Sequence, residues 1–106
     1  MDISFYRRMT YKELQSYFKK YLEHQDRINE TSSAATYLSD GLYLFRKGGE
    51  ELFWKTVTCC SEQFEEVAYN NLFEQLKIHS GSSNIEKNIV SYQRAIRKFR
   101  EFVYDK

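Results

Sequence analysis

The apolar residues in the last quarter of the chain recur with one period. Ile85, Ile89, Tyr92, Ile96, Phe99 and Val103 follow one another at spacings of four, three, four, three and four. Only an α-helix brings residues so spaced onto one side, so 85–104 is expected to be a long amphipathic helix. On the helical wheel Lys87, Arg94 and Lys98 fall opposite that seam, and Arg97 and Arg100 sit on its flanks. One helix therefore offers a dry seam to the rest of the molecule and a basic ridge to something outside it. From Lys87 to Arg100 it carries five basic residues and no acid. An ordinary solvated face mixes signs and gains from i,i+4 pairs. A stripe of one sign incurs self-repulsion and suits an external anion, of which phosphate is the usual one inside cells.

The rest of the chain also reads as helix. There is no proline among the 106 residues and there are only four glycines, a composition poor in turn formers that favours helices with short connections. Residues 1–9 form a lead-in whose Ile3, Phe5, Tyr6 and Met9 are placed to cover an edge of the core, and Arg7-Arg8 reads as a solvated pair. T-Y-K-E, Thr10 to Glu13, is a capping box that opens a first helix over about 11–25. Leu14, Tyr17, Phe18, Tyr21 and Leu22 make its apolar stripe. The polar stretch QDRINETSS then forms a loop, and Thr31, Ser32 and Ser33 are alternative N-caps for a second helix over about 33–47. Ala34, Leu38, Leu42 and Phe45 form one face of it, with Tyr37 and Leu44 beside them. Gly41 falls inside this helix, where glycine costs about 1 kcal/mol relative to alanine. A close helix crossing would account for it.

Gly48-Gly49 is expected to end the second helix by a left-handed cap, with Arg46 and Lys47 complementing its negative C-terminal end. A short helix over about 50–58 follows, with Glu50 and Glu51 in its first turn and Leu52, Phe53 and Val57 buried. Trp54 reads as core or as half exposed. Ser61 is the expected cap of a helix over about 62–79, whose inner face is Phe64, Val67, Ala68, Leu72 and Leu76. HSGSSN closes that helix, and Ser83 or Asn84 caps the last one. The expected fold is all-α: one domain, a compact bundle of four main helices plus one short helix.

Nothing in this pattern points to catalysis. His24 and His79 are the two histidines, each at a predicted helix end. Glu65 and Glu66 are adjacent, so on a helix they point about 100° apart and share no site. There is no E-x-x-H, no glycine-rich phosphate loop and no nucleophile elbow. The chain is therefore read as non-enzymatic, without metal, cofactor or small-molecule substrate. Cys59 and Cys60 are neighbours with no third thiol, which argues for reduced cysteines packing at a helix junction rather than a disulfide framework. No apolar run has signal-peptide length or approaches the ~20 residues of a membrane span. A soluble cytoplasmic protein without a membrane partner is expected.

The charge is uneven along the chain. Residues 1–47 carry eight bases and six acids, residues 48–77 two bases and six acids, and residues 78–106 six bases and three acids. The expected molecule has two electrostatic sides.

Three segments carry a family likeness: F-K-K-Y-L from Phe18 to Leu22, S-x-x-T-Y-L-S-D-x-L-x-x-F from Ser33 to Phe45, and V-S-Y-Q-R-A-I-R-K-F-R-E-F-V from Val90 to Val103. Together they cover about half of the chain, and they resemble the N-terminal core-binding domain of tyrosine recombinases and phage integrases. The resemblance implies a SAM-like four-helix domain that clamps duplex DNA, with its second and last helices on the DNA and mainly phosphate contacts. Carried over by position, it points to Thr36, Arg46 and Lys47 on the second helix and to Arg94, Arg97 and Lys98 on the last. It departs from the family in its acidic fourth helix and in having no catalytic domain behind it, so neither the catalytic tyrosine nor its arginines accompany it.

Two functions from different classes follow. The first is a DNA-binding module that uses Thr36, Arg46, Lys47, Lys87, Arg94, Arg97 and Lys98. The second is a protein-interaction module, an adaptor or a small inhibitor of the kind that phages and other mobile elements encode. Its working surface would be the acidic segment 50–74, with Glu50, Glu51, Trp54, Glu62, Glu65, Glu66 and Tyr69. A homodimer built on Trp54 and Tyr69 is a variant of the second.

Overall fold

Thr10 and Glu13 close the capping box that the sequence predicts. The Thr10 amide donates to Glu13 Oε1 at 3.0 Å and the Glu13 amide to Thr10 Oγ1 at 3.3 Å, so two end amides are satisfied reciprocally. The computed structural model describes residues 3–24, 31–80 and 85–104. The expected loop after the first helix, the side-chain roles of residues 31–34 and the cap at Ser83 or Asn84 lie outside the described residues.

Among the described residues there are seven helical segments and no strand: α1 (Ser4–Arg7), α2 (Tyr11–His24), α3 (Thr31–Gly41), α4 (Tyr43–Gly48), α5 (Glu50–Val57), α6 (Phe64–Ser80) and α7 (Ile85–Tyr104). The all-α bundle is as expected, and residues 85–104, expected to be helical, are helical. No described helix is long and apolar enough to cross a membrane. The lead-in contains one helical turn, which buries Tyr6 and Met9 and leaves Phe5 exposed.

The second helix departs from expectation. It is not continuous over 33–47 but breaks at Leu42, whose backbone (φ −105°, ψ 12°) leaves the helical region. The reason lies in burial. Gly41, Leu42, Tyr43 and Leu44 are all buried, and four consecutive residues of one straight helix would point around its whole circumference. The break lets α4 turn its own residues inward. Arg46 closes the gap: its Nη2 donates to the Ser39 carbonyl at 3.1 Å, in the last turn of α3, and to Ser39 Oγ at 3.4 Å.

Gly41 is where α3 meets α7. A Cβ there would lie 3.0 Å from Phe18 Cε2 and 3.2 Å from the Ala95 carbonyl oxygen. The glycine therefore accounts for a close approach of two backbones, as the sequence suggests. Gly49 has φ 93° and ψ 165°, so the chain leaves α4 through a conformation open essentially to glycine alone, rather than through the left-handed cap expected. The third helix ends at Val57. The fourth starts at Phe64 instead of residue 62, with Gln63 accepting its first backbone bond from Val67 at 2.9 Å. Ser61 thus lies in a turn and does not cap the helix.

Phe99 of α7 is the centre of the core. Its ring meets Phe18 of α2 and Phe53 of α5 at 5.1 Å each, Phe102 at 5.5 Å and Trp54 at 6.0 Å. Phe18, Phe53 and Phe99 are fully buried, which is where most of the apolar stabilisation of so aromatic a chain resides. The seam of α7 is wider than its spacing alone implies, because Ala95 and Phe102 are buried beside Ile89, Ile96, Phe99 and Val103. One polar residue is fully buried among the described ones, Thr56. Its hydroxyl donates to the Leu52 carbonyl at 2.8 Å and accepts from Asn71 Nδ2 at 2.7 Å, joining α5 to α6.

Candidate nucleic-acid interface

The basic ridge of α7 divides into two halves. In the C-terminal half the charges are engaged within the molecule. Arg97 donates to both carboxylate oxygens of Glu65 on α6, at 2.6 and 2.9 Å. The pairing holds the Glu65 carboxyl below its ordinary range, chiefly through these hydrogen bonds; burial opposes them, and the charge of Arg97 adds a lesser lowering. The same bonds raise Arg97. Lys98 Nζ stands 3.2 Å from Glu101 Oε2 one turn on. Arg100 Nη1 donates to the carbonyls of Val57 and Cys59, both at 2.7 Å. Its guanidinium lies over the rings of Phe64 at 4.8 Å and Tyr104 at 5.1 Å.

The N-terminal half keeps its charge. Lys87 and Arg94 are exposed, and among the described residues neither has an acidic partner. Val90 stands between them, 53% exposed, at the spacing that completes one outward stripe. On the neighbouring flank Ser91 Oγ donates to Asp40 Oδ2 of α3 at 2.8 Å. Thr36 is exposed one turn before Asp40 on α3.

Arg46 and Lys47 are exposed at the end of α4. Arg46 is held by Ser39 and lies 5.7 Å from the Tyr43 ring centroid, which fixes its direction. Tyr43 meets Tyr92 of α7 at 4.8 Å. Burial raises both phenols, with Tyr92 adding to the effect at Tyr43 and Asp40 at Tyr92, while Arg46 opposes it in each. Both rings therefore stay neutral donors.

The acidic residues are distributed differently. Glu50, Glu51, Glu62, Glu66 and Glu74 are exposed and have no cationic partner among the described residues, so of the acids in 50–74 Glu65 alone is drawn into a pair there. Glu62, Glu66, Asn70 and Glu74 follow at four-residue spacing along the outside of α6 and the turn before it. Trp54 does not belong to this surface. It is 3% exposed, packed on Phe53 and Phe99, because α5 is short and turns its middle into the core. Tyr69 is half-buried and stacked on Phe73 at 6.0 Å. A homodimer contact through Trp54 is thereby excluded.

Other sites are chemically quiet. Cys59 packs partly against the core as expected, whereas Cys60 is exposed, and both are free thiols. His24 and His79 are exposed in the last turns of α2 and α6. No group of three metal-ligating side chains occurs among the described residues. A groove of about 370 Å³ is lined by Ser61, Phe64, Arg97, Arg100, Glu101 and Tyr104. Arg97 and Glu101 in it are each ion-paired, and the Arg100 guanidinium is held by two carbonyls and two rings.

The bundle and its surface define a small all-α domain with a residual basic stripe and a separate acidic one. Comparison with protein-family models, with curated proteins and with solved structures returned no match to the chain.

Proposed function

We propose that the protein is a non-enzymatic DNA-binding module that contacts duplex phosphates through the α3–α7 face. The observation that carries this reading is the selective survival of charge on α7. Lys87 and Arg94 remain exposed on one stripe, without an acid opposite, while Arg97, Lys98 and Arg100 are used inside the molecule. Side chains held for an external anion are those the fold does not neutralise. The all-α bundle is compatible with the resemblance to recombinase core-binding domains, and under that reading Thr36, Arg46 and Lys47 supply the second helix's share of the contacts. Arg97 and Lys98 then support the helix rather than touch DNA.

Titration of labelled duplex against salt tests the proposal. Log affinity falls by about 0.9 per log unit of salt for each phosphate contacted. Lys87→Glu with Arg94→Glu abolishes binding. An absence of duplex binding at low salt for the unmodified protein refutes the reading.

A second reading is favoured by one observation of its own: five exposed glutamates on α5, on α6 and in the turn between them, without a cationic partner among the described residues. They suit a basic protein partner, since long-range charge complementarity accelerates such encounters. Glu62→Lys with Glu66→Lys would then abolish function in the native host, whereas the Lys87 and Arg94 reversals would not.

A further inference from the structure

Among the described residues, α1, α2 and the turn between them carry five exposed cations. Arg7, Arg8, Lys12, Lys19 and Lys20 are all exposed there. The acids on the same two helices are Glu13 and Glu23, and Glu13 already accepts the Thr10 amide in the capping box. None of the five cations has an ion pair among the described residues. In the same place lie two of the molecule's large exposed apolar side chains. Phe5 is 48% and Tyr17 43% exposed, and their rings meet edge to face at 6.0 Å and 90°.

The corner so formed is rigid. Phe5 packs on Tyr6 at 5.2 Å, and the buried Tyr6 packs on Phe102 of α7 at 4.9 Å. Lys20 Nζ lies 5.8 Å from the Tyr17 ring centroid, one turn along α2. Two anchored, half-exposed rings at a right angle, with cations at their margin, offer a planar group a face to stack on and its charged linkage a counter-charge. Duplex DNA cannot use the rings, because its base faces are already stacked on one another. A single strand can, and base–aromatic stacking tolerates any sequence.

We propose that the Phe5–Tyr17 corner, with Lys20 beside Tyr17, binds a single-stranded nucleic-acid segment, with a base on the rings and the adjoining phosphates on Lys20 and on the exposed Arg7 and Arg8 that follow Phe5 in the chain. The inference shares its class of ligand with the α3–α7 proposal but uses a different face, so each can fail alone.

Fluorescence anisotropy with a labelled oligothymidylate of about 15 nucleotides and with a duplex of matched length separates them. Phe5→Ala with Tyr17→Ala weakens oligothymidylate binding about tenfold or more and changes duplex affinity less than about twofold. Tyr17→Phe keeps the ring and keeps the affinity, and an unchanged unfolding midpoint shows that the alanine variant is folded. Lys87→Glu with Arg94→Glu has the opposite selectivity. Oligothymidylate binding that ignores the ring substitutions overturns the inference. So does an equal loss on both probes, or ring-dependent sedimentation with phosphatidylserine vesicles without oligonucleotide binding. Ring-dependent oligothymidylate binding in a protein that ignores duplex would sustain this inference and refute the α3–α7 reading.

Discussion

Arg97 grips Glu65 through two hydrogen bonds, Nε to Oε1 at 2.6 Å and Nη2 to Oε2 at 2.9 Å, and so ties the basic last helix to the acidic α6. The pair sets a pH dependence. Its carboxyl titrates below the ordinary 4.5 in the folded protein. A depressed folded value means that the stabilisation is present above 4.5 and is lost as pH falls through the lower folded value. Both side chains are about half exposed, 47% and 54%, so solvent screening limits the pair to about 0.2–1 kcal/mol. Urea unfolding of the protein and of Glu65→Gln, from about pH 6 to about pH 3, checks it: the advantage of the unmodified protein is constant above 4.5 and shrinks progressively as pH falls below it.

Arg100 is a structural cation, and its replacement acts on stability. Its Nη1 satisfies the carbonyls of Val57 and Cys59 where α5 ends, and its plane covers Phe64 and Tyr104. Arg100→Ala leaves both carbonyls without that donor and uncovers the rings, at a cost of about 2–3 kcal/mol. Arg100→Lys recovers less than half of this, because an ammonium has no planar face to lay on the rings. Denaturant midpoints of the two variants measure the difference.

Gly41 tests the helix crossing. In a solvated helix Gly→Ala would gain about 1 kcal/mol. Here the new methyl lies 3.0 Å from a ring atom of Phe18, itself fully buried, and 3.2 Å from the Ala95 carbonyl. Neither neighbour moves freely, so overpacking outweighs propensity and Gly41→Ala lowers stability by about 1–2 kcal/mol. A larger side chain, as in Gly41→Leu, separates α3 from α7. Thermal unfolding reads the first, and loss of cooperative unfolding reads the second.

Thr56 joins two helices through one hydroxyl, which donates to Leu52 and accepts from Asn71. Thr56→Val preserves the shape but removes both bonds and leaves the Asn71 amide without that acceptor. A cost of about 1–3 kcal/mol is expected, read as a lower urea midpoint at unchanged slope.

The architecture was legible where one period dominated. The six-residue seam of 85–103 identified the helix that became α7, and T-Y-K-E located the start of α2. The second helix was misread because Leu38, Leu42 and Phe45 keep helical spacing straight through Leu42. The burial of Tyr43 and Leu44 that forces the break comes from packing against α5 and α7, not from local pattern. Site residues were less legible still. A helical wheel places Arg97 on a flank, but only the fold brings Glu65, 32 positions earlier, within reach. The basic face of α1 and α2 was hidden by a different cause. Arg7-Arg8 is too short a run to stand out, and Phe5 meets Tyr17, with Lys20 beside it, only once α1 is laid beside α2.

The division of the α7 ridge gives the sharpest test of function. Four cations of similar sequence context, Lys87, Arg94, Arg97 and Lys98, differ in whether the fold has already used them. Lys87→Gln with Arg94→Gln removes two external contacts, so duplex affinity falls and the slope of log affinity against log salt drops by about 1.8, twice the value per phosphate. The unfolding midpoint stays within about 0.5 kcal/mol, as for other solvated substitutions. Arg97→Gln with Lys98→Gln removes internal partners of Glu65 and Glu101, so stability falls while the salt slope is retained. Matched changes in slope for both pairs would mean that DNA competes successfully for Arg97 and Lys98, and that the ion pairs of the free protein are exchanged on binding.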